Sequence, residues 1–460
     1  MQVSAGEGAV SVNPATGEKL AAWPLANAAQ VERAIDTAYR AARVWRQHST
    51  TQRSEFLRAI AAQLRGNKAS LARTITLEMG KPLTEAEAEV EKSAWNCEFV
   101  AEHGPIWLAD EPVVTQARSS HVAHLPLGVV LSILPWNFPV WQIFRCAASA
   151  LMAGNTLLMK HAPNVQGCAT QVTDLILAAG VPAGVFQNLN AAVPDVGRII
   201  ADPRVAAVTL TGSPGAGAKV AAQAGAVCKK SVLELGGSDA FIVLADADLD
   251  AAVAAGVRAR FTNCGQVCLA AKRFIVEAGI AEEFGARFSS AAAALRSGDP
   301  LLAGTQLGPM ARADLRDSLD SQIALSLRSG ARLLTGGSRG EGAGWYYAPT
   351  VLTDVTQDMP VAAQETFGPV AAMLTARNAE DAVNMANDSA FGLSAMLWTG
   401  DPDRGRALAK ELDVGGVFVN SVTASDPRLP VGGVKLSGYG RELGRAGMLE
   451  LCNTQTVWVA

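Results

Sequence analysis

The chain has 460 residues, of which 49% are hydrophobic and 18% are charged, and it contains 43 glycines. This length exceeds one ordinary hydrophobic core and predicts two large domains, while the composition excludes an intrinsically disordered protein. The formal net charge of −4 leaves no basic surplus for binding phosphates. A nucleic-acid partner is therefore excluded, and a small-molecule substrate is favoured.

Targeting and redox features point to the cytoplasm. Met1–Val12 lacks a basic segment followed by an apolar one, so no secretory signal is expected. The 7 cysteines are scattered and odd in number, which is not the pattern of a disulfide framework. The uncharged stretch Leu125–Phe144 is interrupted by prolines, and we interpret it as buried strand and loop rather than as a membrane span.

The first hundred residues have mainly helical patterns. In Ala28–Trp45 apolar residues recur every three or four positions, which is typical of a helix with one buried face. Further helices are predicted over Gln52–Leu64 and over Glu85–Val100, after the breaker Gly80-Lys81-Pro82.

Beyond this region short apolar runs alternate with helical patterns such as Gln166–Ala179. The strand candidates are Val129–Leu134, Asn155–Met159, Val185–Leu189, Ala206–Leu210, Phe241–Leu244, Phe274–Val276, Ala371–Leu374, Ala395–Trp398 and Gly416–Asn420. Such alternation predicts an α/β fold with parallel sheets, in which a second α/β unit occupies roughly 235–430. The terminal residues Thr456–Val459 look like a strand that pairs with another segment.

Asp202–Gly217 combines a buried strand with glycines at the turn into a helix. Such a turn lets backbone N–H groups and the helix dipole approach a phosphate. The spacing is not the usual dinucleotide fingerprint, so an ordinary strand-helix turn is an equal alternative on this segment alone.

Glu234 ends an apolar run and is followed at once by two glycines. Burial there would raise the pKa of its carboxyl group toward neutrality, as a general base requires. The alternative is a strand-end acid that pairs with a surface base.

Cys268 lies in the segment Phe261–Lys272, four residues after Cys264. A cysteine thiolate is the best carbonyl nucleophile among side chains, although it needs activation. A buried cysteine is more often a small apolar residue, and no histidine or further cysteine lies nearby to complete a metal site. No metal is expected.

Read together with the segments 135–139, 159–163 and 365–369, these motifs resemble the aldehyde dehydrogenase superfamily in order and separation. The resemblance covers nearly the whole chain, from 13–17 to 432–438. It implies a Rossmann-type cofactor domain in 1–114 and 129–235 and a catalytic domain in 236–430. It also implies a small β oligomerisation arm and tail in 115–128 and 431–460, and a homodimer or homotetramer.

The resemblance also assigns roles to residues. It makes Cys268 the nucleophile, Glu234 the base and Asn137 the oxyanion donor. Its dinucleotide-binding residues are Trp136, Lys160, Gly212, Ser213, Gly217, Glu365 and Phe367. The cofactor is expected to be NAD. NADP is also permitted, because Pro163 stands where NAD-preferring relatives often carry a glutamate that repels the 2′-phosphate of NADP.

Within the superfamily, the segments around Lys160 and Gly236 are most similar to bacterial succinate-semialdehyde dehydrogenases. Arg145 matches an arginine that binds the substrate carboxylate in those relatives, and pairing with an internal Asp or Glu is the alternative explanation of this buried charge. A second arginine of the relatives is replaced by Thr262, so Ser425 and Arg428 are candidates for a further anchor. For Arg428 a solvated loop charge is the alternative.

Two other functions compete with aldehyde oxidation. A catalytically inactive binding protein could reuse the fold, but Asn137, Glu234 and Cys268 are all retained. An acylating enzyme would transfer the acyl group to coenzyme A and would not need Glu234 to activate water.

Overall fold

The structure is a computed structural model that describes residues 8–460. The segment Met1–Val12, for which no secretory signal is expected, lies largely outside this range.

The strands of the described range alternate with helices along most of the chain. In chain order they are β1 (Ala9–Val12), β2 (Lys19–Trp23), β3 (Glu111–Pro112), β4 (Ser119–Pro126), β5 (Val129–Ile133), β6 (Thr156–Lys160), β7 (Phe186–Asn188), β8 (Val205–Thr211), β9 (Lys230–Glu234), β10 (Asp239–Val243), β11 (Ala271–Glu277), β12 (Arg332–Thr335), β13 (Thr350–Thr353), β14 (Val370–Ala376), β15 (Phe391–Gly392), β16 (Ser394–Trp398), β17 (Gly416–Val419), β18 (Val434–Lys435), β19 (Gly438–Tyr439) and β20 (Cys452–Val459).

The helices are longest near the N-terminus. They are α1 (Ala28–Trp45), α2 (Thr50–Gly66), α3 (Lys68–Met79), α4 (Leu83–Trp107), α5 (Trp141–Ala153), α6 (Gln166–Ala178), α7 (Asp195–Ala201), α8 (Pro214–Ala226), α9 (Leu249–Phe261), α10 (Ala281–Ala293), α11 (Ala313–Arg328), α12 (Pro360–Ala363), α13 (Ala379–Asn387), α14 (Pro402–Leu408) and α15 (Gly444–Leu449). Short 3-10 helices span Pro163–Val165, Thr262–Gly265 and Ala409–Glu411.

The first large sheet has the order β19-β9-β8-β5-β6-β7, and its strands are parallel except for β19. Successive side chains of a strand point to opposite faces of the sheet, so apolar strands have two faces to bury, and helices cover both. On β5, Val130 packs with α2–α6, whereas Val129 and Leu131 pack with α1, α7 and α8.

The second large sheet has the order β12-β13-β14-β11-β10-β16-β17, and only β12 runs antiparallel to its neighbour. In its core, aromatic side chains from the strands pack against one another and against aromatic side chains from the helices. The rings of Phe241 and Phe274 are 5.0 Å apart, and those of Phe274 and Phe288 are 4.7 Å apart.

A third sheet joins the C-terminal strand to the middle of the chain. β20 pairs antiparallel with β4 from Cys452 opposite Pro126 to Val459 opposite Ser119, and β3 lies on the other side of β4. The expectation that the strand-like terminus pairs with another segment is therefore confirmed. The remainder of 431–460 includes β18, which pairs with β15, and β19, which joins the first large sheet. The predicted domain boundaries stay a prediction.

The α/β class predicted from the sequence is confirmed, and each strand candidate coincides with a strand. One interpretation was wrong in part: Trp141–Phe144 is not strand or loop but the first turn of α5. All residues of α5 are buried, so no polar face marks it as a helix in the sequence. Within residues 8–460 no helix is both long enough and apolar enough to cross a membrane.

Candidate active site

Cys268 lies in a loop that is held in an unusual conformation. Asn263, Cys264 and Gly265 all have positive φ, at 53°, 54° and 70°. Non-glycine residues rarely adopt this conformation unless the surroundings hold it. Here Asn263 N–H donates to Glu85 Oε2 at 2.8 Å, and the buried Arg260 guanidinium donates to the Gly265 carbonyl at 2.6 Å. These bonds hold the backbone of the loop in one conformation in the residues that precede Cys268.

The two cysteines of this loop have different surroundings. Cys264 is 2% exposed, and burial strongly raises the pKa of its thiol. Cys268 is half-buried and faces a cavity. Burial raises the pKa of Cys268 to about 11, while the charges of Arg145 and Lys272 oppose that rise. Of the two thiols, Cys268 is the one that a ligand can reach.

Asn137 is tied to the same loop. It is 3% exposed, and its side-chain Nδ2 donates to the Gln266 carbonyl at 3.0 Å. Its own carbonyl accepts from Asn263 Nδ2 at 2.8 Å. The side-chain NH2 group has two hydrogens, and the bond to Gln266 uses one of them. The other hydrogen remains available to donate. The structure thus brings Asn137 to the segment that carries Cys268.

Glu234 is the last residue of β9 and is 3% exposed. Burial raises the pKa of its carboxyl group to about 7, Arg145 lowers it, and Glu442 raises it further. Its Oε1 is buried and has no hydrogen-bond partner among the described residues. A carboxyl group with this pKa exchanges protons near neutral pH, as a general base must.

Arg145, on α5, lies between two carboxylates. Its Nη2 donates to Glu234 Oε2 at 3.1 Å, and its Nε is 2.7 Å from Glu442 Oε2 in an ion pair without hydrogen-bond alignment. Burial alone would lower the pKa of Arg145, but these carboxylates raise it above its ordinary value. The protein itself therefore supplies the anions that this buried charge requires.

A cavity of about 630 Å³ leads to Cys268. Its walls come from α4, α5, α9, the Cys268 loop and the segment Val422–Ser425. Arg145 and Ser425 line it, as expected of substrate-binding residues, whereas Arg428 does not. Arg428 is exposed and forms a two-pronged ion pair with Asp426, at 2.8 and 2.7 Å.

The predicted phosphate-binding turn joins β8 to α8. Ser213 caps α8 by accepting from Ala216 N–H at 3.3 Å, and Gly212 N–H donates to the Glu234 carbonyl at 3.0 Å. A Cβ on Gly217 would lie 2.6 Å from Leu235 Cδ1, so a larger residue at this position would require the Leu235 side chain, just after β9, to move. A Cβ on Gly215 would meet nothing within 4 Å, so there is open space beside the first turn of the helix. These features fit a dinucleotide phosphate.

The other predicted cofactor residues lie near the turn that follows Glu234 and at the end of β6. Glu365 Oε1 accepts from Gly237 N–H at 3.1 Å, in the turn after β9. Phe367 packs edge to face on Trp136, with ring centroids 5.7 Å apart. Lys160 ends β6, and burial lowers its pKa. These positions fit a ligand that extends from the β8–α8 turn toward Glu234.

Three residues near these groups were missed by the sequence analysis: Lys92, Lys272 and Glu442. Lys272 donates to the Cys268 carbonyl at 2.7 Å. Lys92 shares a wall of the cavity with Glu85 and Glu89, and the spacing of these three charges is that of one helix face. That polar stripe on a predicted helix was a usable signal, whereas nothing in the sequence connects Glu442 to Arg145.

Comparisons with known proteins agree with this geometry. The model of the aldehyde dehydrogenase family matches residues 2–457. A succinate semialdehyde dehydrogenase for NAD(P)+ from Escherichia coli strain K12 is 52% identical, with 100% of this chain and 99% of that protein covered. A probable succinate-semialdehyde dehydrogenase for NADP+ from Synechocystis is 46% identical, with 98% and 99% covered.

A solved structure gives the same result. The succinic semialdehyde dehydrogenase from Streptococcus pyogenes in complex with NADP+ superposes with a TM-score of 0.96 at 34% identity, with 98% of this chain and 100% of that chain covered.

Proposed function

The chain belongs to the aldehyde dehydrogenase family, and we propose that it oxidises succinate semialdehyde to succinate with NAD(P)+. The observation that carries this proposal is the cavity, which is lined by Cys268 and by three cations, Lys92, Arg145 and Arg258, as well as by Glu85 and Glu89. The names of the relatives support the same substrate and cofactor.

Cys268 forms the covalent bond to the substrate. Its thiol loses a proton to solvent, and the thiolate sulfur attacks the aldehyde carbon to give a thiohemiacetal whose oxygen is negatively charged. The positive charges of Arg145 and Lys272 lower the pKa of Cys268 and so favour the thiolate.

Asn137 stabilises the oxygen that becomes charged. The side-chain amide is fixed by its bond to the Gln266 carbonyl, so its second hydrogen is oriented before the reaction. A preorganised donor in a water-poor site contributes more than the same donor in water. The backbone N–H of Cys268 is the second donor in this proposal.

NAD(P)+, when bound, supplies the acceptor for the hydride that leaves the substrate carbon. The β8–α8 turn with Gly212, Ser213 and Gly217 would hold its phosphates, and Lys160 its adenosine ribose. Trp136, Glu365 and Phe367 would contact its nicotinamide half.

Glu234 completes the reaction by removing a proton from water. That water attacks the thioester carbon, the bond between carbon and sulfur breaks, and Cys268 returns with a free carboxylic acid as product. Because burial raises the pKa of Glu234 to about 7, the carboxylate can both accept and release the proton near neutral pH. An acylating enzyme that uses coenzyme A would not need this base.

The experiment that tests this function is a spectrophotometric assay of nicotinamide reduction with aldehyde and NAD(P)+ alone. We expect turnover without coenzyme A, with a higher kcat/KM for succinate semialdehyde than for butanal, its uncharged analogue of equal length. No turnover would favour the inactive binding protein, and turnover only with coenzyme A would favour the acylating enzyme.

The sheet β20-β4-β3 is proposed to join subunits of a homodimer or homotetramer. Its strand β20 presents Trp458 and Val459 to solvent, at 54% and 45% exposure, and Val114 in the loop between β3 and β4 is also exposed. Exposed apolar residues on one element often mark a protein interface. Light scattering of the full chain and of Trp458→Ser tests this: the variant should shift toward smaller species.

The cytoplasm remains the proposed location, on the grounds of the 7 scattered cysteines in the sequence. Fractionation of the source cells tests it.

A further inference from the structure

Lys92, on α4, is a half-buried cation in the wall of the cavity. Its ammonium donates to Ser425 Oγ at 3.0 Å and lies 4.4 Å from the ring of Trp141. It forms no salt bridge within the described range, although an ammonium that is partly removed from water is stabilised by a nearby anion. Burial lowers the pKa of Lys92 to about 8, the charge of Arg145 lowers it too, and Asp426 opposes this.

The other charges around the cavity largely cancel one another. Arg145 is shared by Glu234 and Glu442, so that cluster offers no net positive charge when both carboxylates are ionised. Glu89 is held by Lys81 and by two backbone N–H groups.

The remaining charged groups on this side of the cavity are also accounted for. Asp426, the carboxylate nearest in sequence to Ser425, is held by Arg428. Burial raises the pKa of Glu85 to about 7, which reduces its negative charge near neutral pH. Arg258 also lines the cavity, but it is exposed and hydrated. Among the described residues, Lys92 is thus the half-buried cation of the cavity that lacks a carboxylate partner.

The hydroxyl group of Ser425 accepts two hydrogen bonds and remains free only to donate one. Its Oγ accepts from Lys92 Nζ at 3.0 Å and from Trp141 Nε1 at 3.1 Å. A hydroxyl oxygen has two acceptor lone pairs, so both are in use and the hydroxyl can only donate. None of the described residues accepts that hydrogen.

Lys92 and Ser425 together therefore form a pair of donors with no acceptor. Lys92 retains two N–H groups beyond its bond to Ser425, and Ser425 retains its O–H. A carboxylate is an acceptor-only group with a negative charge, and it matches this pair in charge and in hydrogen bonding.

We propose that Lys92, together with Ser425, binds the far carboxylate of the substrate and so selects carboxylated aldehydes. This inference rests on the proposed function, because it assumes a semialdehyde in the cavity. In this proposal Lys92 supplies the positive charge that anchors the substrate. Thr262 carries no charge, and the charge of Arg145 is already paired with two carboxylates of the protein.

The experiment compares Lys92→Met with the wild type in kcat/KM for succinate semialdehyde and for butanal. Loss of a hydrogen bond to a charged group predicts a fall of roughly ten- to a hundredfold in the ratio of the two constants. Ser425→Ala should lower the same ratio, and it carries the test if Lys92→Met does not fold. Lys410→Met is the matched control, because Lys410 is exposed and does not line the cavity.

A binding measurement separates anchoring from chemistry. In the Cys268→Ala background, calorimetry should show that Lys92→Met weakens binding of succinate semialdehyde by a similar factor. An unchanged ratio in both variants would overturn the proposal, as would a loss in Arg258→Met without one in Lys92→Met. A wild type that does not prefer succinate semialdehyde to butanal would instead refute the proposed substrate.

Discussion

Arg145 donates a hydrogen bond to Glu234 across 3.1 Å, so the residue predicted to anchor the substrate is bonded to the residue predicted to act as base. Both side chains are almost completely buried. The charge of Arg145 lowers the pKa of Glu234 against the opposing effect of burial. A change at Arg145 therefore acts on the base as well as on the cavity.

We predict that Arg145→Met lowers kcat for charged and uncharged aldehydes alike. Without the guanidinium, Glu234 and Glu442 are left as neighbouring buried carboxylates, so the pKa of Glu234 should rise by roughly one unit or more. The pH profile of kcat with butanal checks this, since its midpoint should move to higher pH. Arg145→Lys is the control that keeps the charge. A loss confined to the KM of succinate semialdehyde would instead identify Arg145 as the anchor that the sequence suggested.

Site residues at strand ends and glycine turns could be predicted, because strand ends and glycines can be recognised in the sequence. Glu234 could be singled out since an apolar strand followed by two glycines predicts a buried carboxylate at a turn. The partners of such groups could not be predicted, because Arg145 and Glu442 meet only through tertiary packing. The stripe of Glu85, Glu89 and Lys92 was visible on a predicted helix, but the importance of Lys92 was not, because it depends on the carboxylates that already pair with the other cations.

Glu234→Gln should separate the two halves of the reaction. The amide cannot take the proton from water, so the thioester on Cys268 should form but hydrolyse slowly. Rapid mixing should show a burst of reduced nicotinamide followed by slow turnover, and mass spectrometry should detect the acyl adduct on Cys268. Full steady-state activity would remove Glu234 from the role of base.

Glu442→Gln should shift the pH dependence in the opposite direction to Arg145→Met. Glu442 raises the pKa of Glu234, so removal of its charge should lower that pKa. Glu234 is active as the carboxylate, and activity is therefore present above its pKa and lost as the pH falls through it. The wild-type midpoint is expected near 7 and that of the variant at lower pH. Glu450→Gln is the control, because Glu450 pairs with Lys230 at 2.9 Å instead. A midpoint that stays the same or rises would contradict the coupling.

The two loop cysteines are predicted to differ completely in their effect on turnover. Cys268→Ala should abolish it and leave dinucleotide binding, measured by fluorescence of the reduced cofactor, unchanged. Cys264→Ala should retain turnover within about tenfold, because this thiol is buried and the substitution removes only a small apolar contact. Equal inactivation by both changes, with both variants folded, would mean that the nucleophile has been assigned wrongly.

Pro163 is predicted to decide how well the enzyme accepts NADP. It opens the 3-10 helix that follows β6, it is exposed, and it stands three residues after Lys160. Burial lowers the pKa of Lys160, and no carboxylate of the described residues offsets that effect. The lysine therefore faces no competing anion when a 2′-phosphate binds near it. In Pro163→Glu a carboxylate would repel that phosphate, and a penalty of about 1.4 kcal/mol would weaken NADPH binding tenfold while NADH binding changes little.

Fluorescence titration with both reduced cofactors measures this effect without depending on turnover. Pro163→Gln is the matched control, because it removes the proline ring and adds a side chain of similar size without the charge. If the glutamate and glutamine variants lose NADPH affinity equally, the ring rather than the charge is responsible. If neither loses affinity, the 2′-phosphate does not lie beside this turn, and the assignment of Lys160 to the adenosine ribose loses its support.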